Sequence, residues 1–375
     1  MFWLAIKTLF REKVRFVITL VGITFSGLLA LIQVAMYIGM MGNATDIIKH
    51  IDADIWITSK NIQCFDFANP IPKDRVNRIA RFSDILWTEK LILAFAYLKL
   101  QNGSIEQVQI VGYNPDTGIG GPWSMISGSQ ADVKGGRYMI IDKSSQQRLG
   151  RLNIGTNYEL SGMKFRLVGI SQGLRSFTTM PVLFISYNQA QASEKFISKD
   201  DTVFIMAKAR AKEKIKPIVE ELRRCMNDND VHTKNDFIRK TVMYWTVETG
   251  IGMAFFLTAI LGLLVGAAIV GQTVYANTME HLREFGTLKA LGAKNTDIYQ
   301  VILFQVGITT VLGYALSSLI VLAIKDGVEK VGVSLYLEPI LFLSLFVIVL
   351  FTCLASSVFS VRKIRNLDPA TVFKS

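Results

Sequence analysis

The stretch Thr249–Met279, TGIGMAFFLTAILGLLVGAAIVGQTVYANTM, contains no Asp, Glu, Lys or Arg. A helix needs about 20 mostly apolar residues to cross the roughly 30 Å hydrocarbon core of a bilayer, whereas a buried helix of a soluble protein usually has about 10–14. Three further charge-free runs are long enough, namely Phe16–Met41, Ile298–Ile324 and Pro339–Val361. The sequence therefore predicts four transmembrane helices.

The composition agrees with a membrane protein. Of the 375 residues, 50% are hydrophobic and 19% are charged, against about 25% charged in a typical soluble domain. The net charge is +11. The larger part falls in the segment Asn43–Glu248, and the remainder lies mostly at the inner membrane face, where basic residues complement anionic lipid. No nucleic-acid-binding motif accompanies that charge, so we expect lipid and no nucleic acid as a partner.

The segment before the first run also has helical periodicity. Phe2, Ile6, Leu9 and Phe10 repeat at helical spacing, which predicts an amphipathic helix at the membrane interface. The run that follows is longer than the 7–15 residues of a signal-peptide core. We therefore expect an uncleaved anchor.

Lys and Arg are concentrated before the first run, between the second and third, and after the fourth. Since such residues favour the cytoplasmic side, both termini are predicted to be cytoplasmic. The predicted segments are 1–15 (cytoplasmic amphipathic helix), 16–42 (transmembrane), 43–248 (extracytoplasmic domain), 249–275 (transmembrane), 276–297 (cytoplasmic loop), 298–324 (transmembrane), 325–338 (short outer loop), 339–361 (transmembrane) and 362–375 (cytoplasmic tail).

The extracytoplasmic segment has a mixed pattern. A strand–helix–strand pattern occurs at each of its ends, and the middle, roughly 113–165, is rich in Gly and turn residues. The predicted strands are Ala53–Thr58, Ile85–Leu91, Ala94–Leu100, Val108–Gly112, Thr202–Ala207 and Val231–Thr233, with helices over Pro72–Arg81 and Glu213–Asn227. The predicted fold is thus an α-helical membrane protein with four transmembrane helices and an α/β domain between the first two. In that domain a β-α-β subdomain carries an inserted, mostly β lobe.

Small residues at helical spacing occur in two of the runs. Gly262 and Gly266 lie one turn apart in the second run, as do Gly22 and Ser26 in the first. Such spacing lets helix backbones approach closely, either within one chain or between two copies.

Two cysteines, Cys64 and Cys225, fall in the outer domain, and the sequence leaves open whether they form a disulfide.

The sequence offers no catalytic constellation. No G-x-S-x-G, H-E-x-x-H or paired-Cys motif is present, and no run has a charged residue in its middle, which argues against an ion-coupled carrier. Gly286–Asn295 departs from a phosphate-binding loop, because five residues separate its glycines and no Lys-Ser/Thr follows directly. We expect neither a cofactor nor an enzymatic activity in this chain.

The cytoplasmic loop Glu280–Lys294 is the most informative segment. Its apolar residues Leu282, Phe285, Leu288 and Leu291 recur every three residues, and Gly292 suits a helix C-cap. This pattern predicts a short amphipathic helix. Two interpretations remain: a helix that rests on lipid, or a helix that contacts a cytosolic partner.

The residues from Arg283 to Ala293, REFGTLKALGA, resemble the R-E-[FI]-G-x-[LM]-[KR]-A-[LV]-G-A signature of the FtsX-like permeases, the membrane subunits of MacB-type ABC systems. Arg362–Ala370 and Gly155–Ile170 resemble further patterns of that family. The segments Leu9–Arg15 and Ile51–Trp56 are most similar to its DevC-like branch. The chain departs from many members by having Gln305 where they have Glu.

The resemblance implies a permease without a substrate tunnel, in a bacterial inner membrane, that transmits ATP-driven motion to its outer domain. Implied partners are two copies of an ABC ATPase carrying ATP and Mg, a second copy of the chain, a periplasmic membrane-fusion adaptor and an outer-membrane channel. MacB carries an ATPase in the same chain and these residues contain none, so a separate ATPase is expected. The implied ATPase-coupling residues are Glu280, Arg283, Glu284, Phe285, Gly286, Leu288, Lys289 and Gly292.

Two other functions stay open within the resemblance. The chain could be a non-transporting transducer that controls an outer peptidoglycan hydrolase, as FtsX does. It could also be a lipoprotein-releasing permease. The sequence does not name the cargo.

Overall fold

The computed structural model describes residues 7, 9, 11–177, 180–194, 197–290, 293–330 and 332–362. Most of the predicted amphipathic helix before the first span, and the tail from 363 onward, lie outside the described residues. The helices are α1 (Lys13–His50), α2 (Arg75–Ile79), α3 (Gln146–Leu149), α4 (Tyr187–Ser193), α5 (Ile215–Cys225), α6 (Lys234–Met243), α7 (Ile251–Glu280), α8 (Leu282–Ala290), α9 (Asn295–Lys330) and α10 (Pro339–Arg362).

Four of these helices, α1, α7, α9 and α10, are long and apolar enough to cross a membrane. This confirms the predicted number of spans. Two of them extend well past their charge-free runs, since α1 continues to His50 and α9 to Lys330. Backbone hydrogen bonding continues through the first charged residues, so the end of an apolar run does not mark the end of a helix.

The chain divides into two compact units. One comprises residues 1–39 and 252–375 and contains the apolar helices. The other comprises residues 40–251 and contains the strands. The helix α1 passes from the first unit into the second without a break.

Within the helical unit, small residues set the distance between helices. A Cβ atom built on Gly22 would lie 2.6 Å from Ile269, one on Gly262 would lie 3.1 Å from Leu29, and one on Gly266 would lie 2.4 Å from the hydroxyl of Ser26. All four predicted packing residues thus lie between α1 and α7 of the same chain. On its other side α1 meets α9, where Ser317 donates to the carbonyl of Thr24 at 2.8 Å.

The strands are β1 (Ile55–Ser59), β2 (Ile71–Pro72), β3 (Ile85–Lys99), β4 (Ile105–Tyr113), β5 (Met125–Ser127), β6 (Tyr138–Asp142), β7 (Asn157–Leu160), β8 (Met163–Ser171), β9 (Val182–Ser186), β10 (Asp201–Thr202), β11 (Phe204–Ala209) and β12 (Asn229–Thr233). Ten form one sheet in the order β12-β1-β11-β3-β4-β9-β6-β8-β5, with β7 beside β3 and β8. The strands β2 and β10 pair separately.

The long strand β3 corrects two sequence predictions. Ile85–Leu91 and Ala94–Leu100 were predicted to be separate strands, but they belong to one strand of 15 residues. Its first half pairs with β11 up to Leu91, and its second half pairs with β4 from Ile92 onward. The inserted lobe is therefore continuous with the sheet, and through β9 it reaches Ser186, beyond the predicted limit of 165.

An aromatic cluster fills the centre of this unit. Trp56 of β1 is fully buried and its ring lies 6.1 Å from Phe65, 5.7 Å from Phe204 and 5.6 Å from Phe237. Phe65 and Phe204 stack in parallel planes at 5.0 Å. Aromatic pairs at such distances contribute beyond their buried area, by about 0.5–1.5 kcal/mol each. The cluster joins residues from both ends of the unit, as a discontinuous subdomain requires.

Candidate functional site: the cytoplasmic coupling helix

The helix α8, here called the coupling helix, follows the second span almost directly. His281 alone separates Glu280, the end of α7, from Leu282. The amide of His281 donates to the carbonyl of Asn277 at 3.1 Å, and that of Phe285 donates to the carbonyl of His281 at 2.9 Å. Helical hydrogen bonds therefore run across the junction, and the coupling helix is tied to α7. The predicted cap Gly292 lies outside the described residues.

A cluster of charged side chains surrounds this junction. Glu12 accepts from Arg15 at 3.1 Å and also bonds the Nε2 of His281. Arg15 pairs in addition with Glu280. His281 reaches Glu284 of the coupling helix through Nδ1 at 3.0 Å. This ion cluster fixes the start of the coupling helix to the start of α1.

The exposure of each side chain determines how much its ion pairs stabilise the junction. The side chains of His281, Glu12 and Arg15 are 15%, 21% and 27% exposed, whereas Glu280 and Glu284 are each 62% exposed. Exposed pairs contribute only about 0–1 kcal/mol, because water and salt screen them. We therefore assign most of the stabilisation to the half-buried group of Glu12, Arg15 and His281.

The histidine is favoured in its protonated form. Burial alone would lower the pKa of His281, but the hydrogen bond and charge of Glu12, with Glu284, outweigh burial and raise the pKa. The imidazolium then donates from both ring nitrogens, one to each carboxylate. The contribution of protonated His281 to the free energy of unfolding is fully present below the unfolded-state pKa of 6.5. This contribution is lost as the pH rises through the raised pKa of the folded state.

The structure places the sequence-predicted coupling residues in different surroundings. Glu280 and Glu284 bond within the chain, to Arg15 and His281. Phe285 is half-buried with its ring 6.4 Å from that of His281, and no atom lies within 4 Å of a Cβ atom built on Gly286. Arg283 is exposed, and the side chains of Leu288 and Lys289 lie outside the described part of the chain.

Sequence reasoning missed Glu12, Arg15 and His281 as members of this site. Arg15 was counted among the basic residues of the N-terminal flank, and Glu12 and Arg15 both lie in the Leu9–Arg15 segment of the family resemblance. Their spacing of three residues is repeated by His281 and Glu284, and such spacing is the local signal of paired charges on a helix face.

A polar cavity of about 490 Å³ lies in the strand-containing unit. It is lined by side chains of both charges, among them Lys134 paired with Asp116 at 2.8 Å.

Within the described ranges there is no group of three His, Cys, Asp or Glu side chains that could hold a metal ion. Cys64 is buried and Cys225 is exposed, and both are free thiols.

Four membrane-length helices, an α/β unit between the first two, and a short helix tied to the spans together define the class of a multi-pass membrane permease. Family models agree. Residues 16–224 match the MacB-like periplasmic core domain, and residues 256–369 match the FtsX-like permease C-terminal domain. The chain belongs to the FtsX-like, MacB-type family of ABC transporter permeases.

Relatives of known sequence or structure are distant. An ABC transporter permease of Methanocaldococcus jannaschii is 22% identical over 185 residues, which are 48% of this chain and 46% of that protein. The periplasmic region of MacB from Actinobacillus actinomycetemcomitans is 15% identical, with a TM-score of 0.39, over 52% of this chain and 95% of that one. The extracellular domain of the transporter YknZ from Gram-positive bacteria is 10% identical, with a TM-score of 0.36, over 48% of this chain and 98% of that one.

Proposed function

We propose that this chain is the membrane subunit of an inner-membrane ABC exporter of the MacB and DevC type, and that the coupling helix receives motion from a separate ATPase. ATP and Mg bind to two copies of that ATPase, and the chain itself hydrolyses nothing. Two copies of the chain assemble with it, with both termini in the cytoplasm. A periplasmic adaptor and an outer-membrane channel complete the export path.

The observation that carries this proposal is the ion cluster at the start of the coupling helix. Because Glu12 and Arg15 belong to the start of the first span, and Glu280 and His281 to the end of the second, a displacement of the coupling helix acts on both spans together. An interfacial helix resting on lipid would need no such cluster. Charged side chains held half-buried cost free energy unless they are paired, and here each has a partner.

The direction of transmission follows from chain continuity. The helix α1 runs from Lys13 to His50 as one element, and its last residues belong to the strand-containing unit. A helix without a hinge passes a movement of one end to the other, and sharp bends in helices arise at Pro, at Gly/Ser pairs or at bulges. The span α1 contains no proline, and the helix continues through its Ser26–Gly27 pair. We therefore assign α1 the role of carrying cytoplasmic motion to the outer unit.

The decisive experiment is purification of the tagged chain from its native membrane, followed by identification of the ATPase that accompanies it. Phe285→Ala should then weaken this association by roughly 30-fold, since an aromatic anchor in a protein groove is worth about 2 kcal/mol or more. Phe351→Ala is the matched control, because Phe351 is an exposed aromatic residue of α10. Equal ATPase recovery with both variants would contradict the assignment of the coupling helix.

The same purification separates export from the other functions of the family. An adaptor of the membrane-fusion type supports the exporter. A peptidoglycan hydrolase in its place would identify a transducer, and a lipid-anchored protein would identify a lipoprotein-releasing permease. The purified chain without its ATPase should hydrolyse no ATP.

A further inference from the structure

Exposed apolar side chains occur where the outer unit leads into the second span. Phe67, Met243 and Val247 are 47%, 53% and 51% exposed. Met243 and Val247 are four residues apart along one helical face, and Arg239 lies a further four residues before them. These four residues are called the membrane-proximal patch. A cluster of exposed apolar side chains, unlike a single one, is typical of a contact surface.

The protein holds Phe67 on this surface by a specific arrangement. Phe65, two residues earlier, is buried in the aromatic cluster, and Asp66 accepts hydrogen bonds from Gln109 at 3.2 Å and from the indole of Trp245 at 3.3 Å. The ring of Phe67 consequently lies 5.9 Å from that of Trp245. Trp245 also stacks on Phe177 at 3.9 Å. Phe67 is therefore fixed against the segment that leads to the membrane, although it lies far from both spans in sequence.

The covalent chain limits how far the patch lies from the bilayer. Val247 precedes Ile251, the first residue of the second span, by four positions. Four residues of fully extended chain reach at most about 14 Å. Phe67, through its contact with Trp245, lies close to the same point. Tyr244 contacts Phe67 at 6.1 Å, and Tyr and Trp are the residues that collect at the headgroup level of membranes.

The distribution of charge along the patch matches a lipid surface. Arg239 is exposed and forms no ion pair with any described residue. Arg239 occupies the end of the patch farthest from the span along the chain, and the apolar side chains follow it toward Ile251. The exposed carboxylate of Glu248 comes directly after Val247, outside the i, i+4 face of Arg239, Met243 and Val247. A phospholipid presents its phosphate outside its acyl chains, so the cation meets the phosphate where the apolar residues meet the acyl boundary.

We infer that the membrane-proximal patch inserts into the lipid surface of the leaflet on the side of the outer unit. Phe67, Met243 and Val247 enter the boundary between headgroups and acyl chains, and Arg239 binds lipid phosphate. The contact would anchor the base of the outer unit to the bilayer independently of the covalent connections through α1 and α7.

Site-directed fluorescence tests this inference on the full chain. Single cysteines are placed at Phe67 or at Tyr97 in a Cys225→Ser background, because Cys225 is the exposed thiol among the described cysteines. Tyr97 is the matched control, an aromatic residue of the same unit that is 64% exposed on β3. The labelled chains are reconstituted in vesicles of phosphatidylethanolamine and phosphatidylglycerol. Quenching by shallow brominated lipid and by aqueous iodide is then measured.

The label at position 67 should be quenched by brominated lipid several-fold more than the label at 97, and by iodide several-fold less. Iodide quenching at 67 equal to that at 97, with no quenching by lipid, would overturn the inference and leave the patch open for a protein. Met253→Cys provides the positive reference, since Met253 is exposed within the second span.

Arg239→Gln tests the headgroup contact in the same assay. Raising the fraction of phosphatidylglycerol should increase lipid quenching at position 67 in the parent, and this increase should be lost in the variant. An unchanged increase would refute the role of Arg239. Because no ATPase is present in these vesicles, the result does not depend on the coupling proposed above, and either proposal can fail alone.

Discussion

The packing of α1 against α7 at Gly266 gives the sharpest mechanical prediction. A methyl group added at Gly266 would lie 2.4 Å from the Oγ and 2.5 Å from the Cβ of Ser26. The hydroxyl can rotate away, but the Cβ atom is fixed to the backbone of α1. Since non-bonded carbons prefer about 3.5–4.0 Å, the two helices would have to separate by about 1 Å. Gly266→Ala should therefore destabilise the helical unit.

The magnitude follows from two opposing effects. Overpacking a close-packed contact costs about 1–3 kcal/mol, while replacing Gly by Ala inside a helix contributes about 1 kcal/mol of stability. Gly307→Ala in α9 is the matched control, because no atom lies within 4 Å of its added Cβ. The control should be neutral or stabilising, so the two variants should differ by about 1–3 kcal/mol in the free energy of unfolding.

The assay is unfolding of the full chain in mixed micelles with an increasing fraction of denaturing detergent, followed by far-ultraviolet circular dichroism. Ser26→Gly combined with Gly266→Ala removes the atoms that clash and should recover most of the lost stability. Equal stability of the Gly266→Ala and Gly307→Ala variants, or no recovery by Ser26→Gly, would refute the packing. Altered dimerisation without a change in stability would instead indicate an interface between copies.

Three further predictions concern titration and burial. His281→Gln should abolish the loss of stability that the parent shows as the pH rises above about 6.5. A double-mutant cycle of His281→Gln with Glu12→Gln, measured by the same unfolding assay, should give a coupling free energy of about 1 kcal/mol. A coupling of zero would remove the cluster from the mechanism. Burial raises the pKa of Glu194 to about 7 despite a hydrogen bond from Ser161, so the parent should lose stability as the pH rises from about 4.5 to 7. Burial also raises the pKa of Asp66 to about 6. Glu194→Gln should therefore keep part of the loss below about pH 6 and show less loss than the parent between about pH 6 and 7, measured by thermal unfolding at each pH. Trp56 is fully buried, and its indole nitrogen has no described hydrogen-bond partner. Trp56→Phe keeps an aromatic ring and should lower the free energy of unfolding by less than about 1.5 kcal/mol, whereas Trp56→Ala should lower it by about 3–5 kcal/mol. Equal costs would show that the ring is not packed as described.

The spans could be predicted from sequence because one effect dominates there. Removing a charge-free run from water outweighs every local preference, so Thr249–Met279 could be assigned as a span without any knowledge of its neighbours. The ends of the helices were less predictable. Lys49 and Asp326 interrupt the apolar pattern, but they do not interrupt the backbone hydrogen bonds of α1 and α9.

The strand β3 shows a second limit of sequence reasoning. The run Leu91–Ala96 is apolar without alternation and could be divided almost anywhere, and a break was predicted at Ile92 and Leu93. In the structure the strand continues there and only its partner changes. A strand covered on both faces carries no period-two signal, so its continuity depends on neighbours that are remote in sequence.

Only part of the candidate site could be predicted, because sequence patterns indicate local structure and not contacts between remote residues. The helix Leu282–Ala290 could be predicted from its local pattern, and the contact of its residues with an ATPase stays a prediction. The ion cluster could not, because Arg15 and Glu280 are 265 positions apart, and Glu12 and His281 are 269 apart. Each of these residues satisfies a simple local rule by itself, and only the fold brings them together.

The partner change within β3 restricts how the outer unit can move. A domain built from two separately folded lobes could open about a hinge between them, as many ligand-binding proteins do. Here the backbone hydrogen bonds of Ile85–Leu91 hold one half of the sheet, and those of Ile92–Lys99 hold the other. Among the described strands, no backbone ladder crosses the point between Leu91 and Ile92, so the two halves of the sheet are joined there through the backbone of β3. Any change in the angle between the two halves would therefore bend β3 between Leu91 and Ile92.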